Sequence, residues 1–98
     1  MSFVYLVYVQ SEKKDCEEGK VVKVYKSLKG ATEEKDKFEK IRDQCFQEAK
    51  QYYQKKTMLG FSQAHQVQRE YLEKYPEYKL IEADIFPKEC WIVKKPLY

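Results

Sequence analysis

The segment TEEKDKFEKIRDQCFQEAKQYY, residues 32–53, carries its apolar side chains on one face of a helix. The intervals between them are three, four, four and three residues, a helical period, and the set is Phe38, Ile41, Cys45, Ala49 and Tyr52. Thr32 is the predicted N-cap, because Glu33 and Glu34 then lie in the first turn, where carboxylates complement the helix dipole. Gly60 can close the helix in the left-handed conformation, which predicts about 28 helical residues and a length of roughly 40 Å.

Two strands are predicted before this helix, separated by a charged connection at residues 11–19. Residues 3–10, FVYLVYVQ, are apolar on both alternating faces, as is typical of the central strand of a sheet. Residues 20–26, KVVKVYK, mix valine with lysine, which favours an edge strand exposed to water. The predicted faces are Phe3, Tyr5, Val7 and Val9 against Val4, Leu6 and Tyr8 in the first strand, and Val22 and Val24 against Val21, Lys23 and Tyr25 in the second.

A second helix and a third strand are predicted after the long helix. Ser62 can cap a helix that ends before Pro76 and carries the apolar set Ala64, Val67, Tyr71, Leu72 and Tyr75. Residues 79–86, KLIEADIF, alternate like a half-buried strand. Residues 90–95, CWIVKK, are either a short fourth strand or an extended tail that lays Trp91 on the core.

The element order β-β-α-α-β predicts one small soluble domain of the α+β class, spanning residues 1–98. We expect a small antiparallel sheet of three or four strands with two helices packed on one face. The other face would carry tyrosines of the first two strands beside Glu82 and Asp84. Two interpretations stay open: these tyrosines lie on a solvated face or beneath the tail, or they form a contact surface for a protein partner.

The predicted partner-binding residues extend beyond the sheet to the end of the long helix. Tyr52 and Tyr53 lie near Met58, where a helix of this length would overhang the short strands. The overhang would be covered either by the second helix or by a second copy of the chain in a homodimer. The full predicted set is Tyr5, Tyr8, Tyr25, Tyr52, Tyr53, Glu82, Asp84 and Trp91.

No arrangement of residues predicts catalysis, a cofactor site or a metal site. The three cysteines, Cys16, Cys45 and Cys90, form no C-x-x-C pair, and His65 is the only histidine. Cys45 lies in the apolar stripe and is most simply a core residue. Glu82 and Asp84 share a strand face, but polar residues on the wet face of a strand need no further explanation. We therefore expect a protein that is not an enzyme and that has no catalytic, cofactor-binding or metal-binding residues.

The charge pattern argues against a dedicated nucleic-acid binder. The chain has 19 basic and 16 acidic residues, a formal charge of +3, and only two arginines, Arg42 and Arg69. The sheet tyrosines and the hairpin lysines keep a nucleic-acid or nucleotide binder as the alternative function. No apolar run approaches the roughly 20 residues that cross a bilayer, so no membrane partner is expected. The odd, widely spaced cysteines favour a reducing, cytoplasmic location.

The layout resembles small uncharacterised single-domain proteins of phages and mobile elements. The segments that carry the resemblance are FVYLVYV, KVVKVYKSL, ATEEKDKF and YKLIEADIFPKECW. The resemblance implies a small accessory protein that acts by binding, and it assigns no functional residue. The function expected is thus a non-enzymatic protein-interaction module, such as a viral or phage accessory protein that binds and inhibits a host or defence factor.

Overall fold

The computed structural model describes residues 2–10, 19–80 and 85–97, which form an α+β fold. The strands β1 and β2 come first, followed by the helices α1 and α2, a single turn of 3-10 helix, and the strand β3. Their bounds are Ser2–Gln10 for β1, Lys20–Tyr25 for β2, Leu28–Tyr53 for α1, Met58–Lys74 for α2, Pro76–Tyr78 for the 3-10 turn and Glu89–Leu97 for β3. The predicted fold class and the order β-β-α-α-β are confirmed.

The sheet has three antiparallel strands in the order β2-β1-β3, so the strand that is apolar on both faces is central, as predicted. β1 pairs with β3 along its whole length, from Ser2 opposite Leu97 to Gln10 opposite Glu89. It pairs with the shorter β2 only between Tyr5 and Val9. Pro96 lies within β3, where a missing N–H is tolerated because β3 is an edge strand.

The third strand is not the one that the alternation at residues 79–86 predicts. Residues 79, 80 and 85–88 are not in a strand, and residues 81–84, which include Glu82 and Asp84, lie outside the described residues. The backbone N–H of Phe86 donates to the side chain of Gln68, 3.2 Å away, so this part of the chain bonds to α2. The predicted fourth strand is longer than expected, Glu89–Leu97, and it is this segment that pairs with β1 as the third strand of the sheet.

A β-bulge in β2 changes which valines share a face. Tyr8 pairs with Val21 and Val7 with Lys23, which leaves Val22 as the extra residue between them. Val21 and Val24 therefore lie on the same face as Leu6 and Tyr8, while Val22 packs against the core. The prediction that Val22 and Val24 share a face is wrong, because strict alternation does not survive an inserted residue.

Both helices begin at a different residue from the one predicted. The N-cap of α1 is Ser27, whose hydroxyl accepts from the Gly30 N–H at 3.2 Å, and Thr32 lies inside the helix. The N-cap of α2 is Thr57, which accepts from the N–H of Gly60 at 3.0 Å. Gly60 thus belongs to the first turn of α2 and does not close α1, and Ser62 is an interior residue.

Substitutions at Ser27 and Thr32 test directly which of these residues is the N-cap of α1. Replacing Ser27 by alanine should lower the free energy of unfolding by about 1 kcal/mol, because the Gly30 N–H loses its acceptor. Replacing Thr32 by alanine should change it by less than about 0.5 kcal/mol, since its hydroxyl only bonds back to the Leu28 carbonyl, and alanine favours the helix. Urea denaturation measures both. A larger loss of stability from Thr32→Ala than from Ser27→Ala would indicate that Thr32 is the N-cap, as the sequence alone predicts.

The core lies between α1 and one face of the sheet. The fully or nearly fully buried cluster combines β1, both helices, the 3-10 turn and the segment before β3: Val9, Phe38, Ile41, Cys45, Leu72, Tyr78 and Phe86. Four of the five residues of the predicted stripe of α1 are buried, namely Phe38, Ile41, Cys45 and Ala49, and the fifth, Tyr52, is half-buried. α1 contacts all three strands, and α2 packs on α1 at the same side of the sheet.

Candidate functional site: the open face of the sheet

The second face of the sheet, turned away from α1, is apolar. Pairing in the ladder places Leu6 between Val24 and Val93, and it places Tyr8 between Val21 and Trp91. Because directly paired residues of an antiparallel sheet point to the same side, these residues form one surface. We call it the open face, and its members are Val4, Leu6, Tyr8, Val21, Val24, Trp91 and Val93.

Among the described residues, no helix covers the open face. The helices pack on the opposite side, where Val7 and Val9 of β1 are almost completely buried. On the open face, by contrast, Val24 keeps 51% of its surface exposed and Leu6, Tyr8 and Trp91 are half-buried. Charged residues of β1 and β3 lie only at its two ends, with Lys95 opposite Val4 and Glu89 opposite Gln10. The middle of the face is therefore uncharged.

Two aromatic rings define the end of the open face near β2's first residue. Tyr8 and Trp91 stack across the strands, with ring centroids 5.5 Å apart and planes 6° from parallel. Gly19 lies directly under the indole, because a Cβ at that position would come within 2.6 Å of a Trp91 ring carbon. Trp91 thus lies on the open face and not on the core, which corrects the alternative of a tail packed inward.

The tyrosines predicted for one partner-binding surface are divided between two faces. Tyr8 and Trp91 lie together on the open face. Tyr5 and Tyr25 pair with each other on the side of the helices. The Tyr25 hydroxyl donates to the Glu34 carboxylate at 3.0 Å, and burial, followed by this hydrogen bond, raises the pKa of Tyr25. The prediction that Tyr25 faces away from the helices is therefore wrong.

The remaining predicted site residues do not join the open face. Tyr52 and Tyr53 lie at the end of α1, where Tyr53 contacts Phe61 of α2 with ring centroids 5.8 Å apart. Glu82 and Asp84 lie outside the described residues. The predicted site did not include the aliphatic members of the open face, which are Val4, Leu6, Val21, Val24 and Val93. The signal that could have found the face was the first strand itself, since a strand apolar on both faces needs a second cover.

The cysteines of the described region are free thiols in poor positions for nucleophilic chemistry. Burial raises the pKa of the Cys45 thiol to about 12 and that of Cys90 to about 11. Both thiols are therefore protonated at neutral pH, whereas the reactive nucleophile is the thiolate. His65 is exposed on α2. The described parts of the chain contain no group of three or more His, Cys, Asp or Glu residues able to hold a metal ion.

Comparison with known proteins adds no relative to this picture. No protein-family model matches the chain, and no curated protein or solved structure proves similar to it. Within residues 2–10, 19–80 and 85–97, neither helix is long and apolar enough to span a bilayer.

Proposed function

We propose that this chain is a non-enzymatic protein-interaction module whose open face binds a protein partner. The observation that carries the proposal is the uncharged apolar surface of the three strands, which no described helix covers. A sheet face with this composition normally packs against another layer, and contiguous exposed apolar patches mark interaction sites. The stacked pair Tyr8 and Trp91 supplies the large aromatic contacts in which interfaces are enriched.

The size of the open face favours a partner over a second copy. With strands about 4.8 Å apart and a rise of about 3.3 Å per residue, the patch covers roughly 250 Å² in plan. A stable interface buries about 800 Å² on each side, so two open faces pressed together would make a weak homodimer. A protein partner that also contacts the exposed edge of β3 reaches a larger area, because an edge strand offers backbone groups for pairing.

Nucleic-acid binding gains no support from the open face. The cations that would neutralise phosphates are missing from its middle, where only apolar and aromatic residues lie. Tyr8 and Trp91 stack on each other, which leaves at most one free ring face on each for a base. The tyrosines expected to extend this platform, Tyr5 and Tyr25, lie on the other side of the sheet. An inhibitory accessory role against a host or defence factor remains a prediction from the resemblance.

Site-specific photo-crosslinking in the cells that produce the protein tests the proposal. A benzophenone amino acid at Val24 is tolerated because this side chain is half exposed at an edge strand, and it should form a covalent adduct with one protein. The matched control carries the same group at Gln47, an exposed position of α1 on the far side of the sheet, and should form no such adduct.

The affinity of the captured protein then provides the quantitative result. Replacing Val24 by glutamate should weaken binding at least about 10-fold, because the new carboxylate would have to be desolvated against the partner. The free energy of unfolding should change by less than about 1 kcal/mol, since Val24 is a surface position. Adducts with nucleic acid, adducts only between copies of the chain, or equal adducts from Val24 and Gln47 would each contradict the proposal.

A further inference from the structure

The first turn of α2 presents three large apolar side chains to solvent. Met58 is 88% exposed, Leu59 70% and Phe61 46%. We call these three residues the apolar tip. Met58 and Leu59 contribute little to the fold, because side chains that remain in water bring little hydrophobic stabilisation, whereas Phe61 is about half buried and contacts the Tyr53 ring. All three are separate from the open face, since they belong to the helical layer on the other side of the sheet.

The backbone holds the apolar tip in a fixed shape. After α1 ends, the N–H groups of Lys55 and Lys56 donate to the carbonyls of Tyr52 and Tyr53, at 3.3 and 3.1 Å. Thr57 then caps α2, and Gly60 lets the two helices approach so closely that a Cβ there would lie 2.5 Å from the Tyr52 carbonyl oxygen. Met58 and Leu59 therefore project from a structured turn.

Positive charge surrounds the apolar tip without any carboxylate nearby in the sequence. Lys50, Lys55 and Lys56 precede it, and no Asp or Glu occurs from residue 49 to residue 69. None of the three lysines forms an ion pair with another described residue. Lys50 complements the C-terminal end of α1, and Lys55 and Lys56 lie between that end and the start of α2, where the two helix dipoles favour opposite charges. The Lys55 ammonium also lies over the Tyr52 ring, 5.4 Å from its centroid. The dipoles do not explain why no carboxylate accompanies these three lysines.

We propose that the apolar tip binds the surface of an anionic lipid bilayer. Met58, Leu59 and Phe61 would enter the boundary between headgroups and acyl chains, and the three lysines would meet the anionic headgroups. A second copy of the chain fits less well, because two tips would bring six lysines together with no carboxylate between them. A projecting apolar turn also suits a deformable lipid surface, whereas a protein partner would need a matching cavity.

This proposal departs from the expectation that the protein has no membrane partner. That expectation rests on the lack of a spanning apolar run, and the described helices indeed cannot span a bilayer. A protein that binds to the surface of a bilayer without spanning it needs only a small apolar contact combined with basic residues. The exposure of Met58 and Leu59 cannot be read from the sequence, because the helix pattern alone allows them to be covered.

Sedimentation of the full chain with lipid vesicles tests the proposal. The protein should bind vesicles rich in phosphatidylserine, bind neutral phosphatidylcholine vesicles much less, and dissociate as the salt concentration rises. Replacing Lys55 and Lys56 by glutamine should weaken partitioning about 25-fold, at about fivefold for each lysine near the anionic surface. Replacing Met58 and Leu59 by serine should weaken it at least about 10-fold, since the apolar contact is lost.

Lys94 and Lys95 of β3 provide a matched control. Lys94 pairs with Tyr5, whose other partner Tyr25 bonds to Glu34 near the start of α1. Further along α1, the Arg42 guanidinium donates to the carbonyl of Lys88, just before β3. α1 and β3 therefore run in opposite directions, and these two lysines lie far from the apolar tip. Replacing both by glutamine removes the same charge and should leave partitioning unchanged within about twofold. An equal loss in this control would show a non-specific charge effect and overturn the proposal.

A fluorescence measurement reports insertion directly. In the natural chain the only tryptophan is Trp91 on the open face, and its emission should not change when vesicles are added. With Leu59→Trp, the added emission should shift to shorter wavelength on phosphatidylserine vesicles. Lack of binding at low salt, or binding to polyglutamate without binding to vesicles, would overturn the proposal; the second result would indicate an acidic protein segment as the partner.

Discussion

Replacing Phe38 by alanine is expected to lower the free energy of unfolding by about 3–5 kcal/mol, the range for removing a large buried aromatic ring. Phe38 is completely buried at the centre of the core. Its ring meets the edge of Tyr78 at 5.0 Å between centroids and stacks on Phe86 at 5.7 Å. The ring therefore joins α1 to the 3-10 turn and to the segment before β3, and alanine would leave a cavity at the point where these segments meet.

Urea denaturation measures this loss, and the same substitution at the more exposed Phe3 serves as the control for burial. Phe3 is one of the exposed large hydrophobic residues and lies at the end of β1, under the ammonium of Lys94 at 4.2 Å. Phe3→Ala should cost less, about 1–2 kcal/mol, because Phe3 keeps 37% of its surface in water and an exposed cation–π contact is weak. A cost for Phe38→Ala no greater than that for Phe3→Ala would contradict the core described above.

The features that could be predicted from the sequence are those fixed by the period of a single segment. The spacing of Phe38, Ile41, Cys45 and Ala49 identifies the buried side of α1 because only one helix face carries such residues. The central place of β1 likewise follows from its two apolar faces. Both inferences depend only on the residues of the segment itself and not on the position of any other segment.

The features that could not be predicted depend on contacts between distant segments. The bulge at Val22 is defined by the pairing of β2 with β1, so alternation within β2 alone assigned Val24 and Tyr25 to the wrong faces. The choice between residues 79–86 and the last strand depends on what pairs with β1 and on what Phe86 meets in the core. The sequence predicted that a second sheet face exists, but it did not predict which residues form that face. Most of them come from β2 and β3, whose positions depend on these contacts.

Gln68 is the clearest of these long-range contacts, because it is a buried polar residue on the inner side of α2. Its side-chain oxygen accepts from the backbone N–H of Phe86 at 3.2 Å, and its side-chain nitrogen donates to the Tyr53 hydroxyl at 2.9 Å. One amide group therefore bonds to both the end of α1 and the segment before β3. The helical pattern of α2 gives no sign of this role, since a glutamine is usually an exposed residue.

Replacing Gln68 by methionine should lower the free energy of unfolding by about 1.5–4.5 kcal/mol. Methionine keeps nearly the same volume, so little of the loss comes from packing. The Phe86 N–H, in contrast, would remain buried without its acceptor, at a cost of about 1–3 kcal/mol, and the bond to Tyr53 would add about 0.5–1.5 kcal/mol. Tyr53→Phe is the matched control, because it removes only the second bond and keeps the acceptor of the Phe86 N–H. It leaves the buried side-chain N–H of Gln68 without that acceptor, at a cost of about 1–3 kcal/mol.

Amide hydrogen exchange separates a local effect from a global one. In Gln68→Met the N–H of Phe86 should exchange faster than the fall in global stability alone requires, because its own hydrogen bond is missing. In Tyr53→Phe the exchange rate of the Phe86 N–H should change only as much as global stability requires. Equal losses of stability in the two variants, with Phe86 exchange unchanged in both, would show that the segment before β3 is held by the stacking of Phe86 on Phe38 and not by Gln68. The two core predictions thus test different sources of order for one segment: burial of an aromatic ring, and satisfaction of a buried backbone donor.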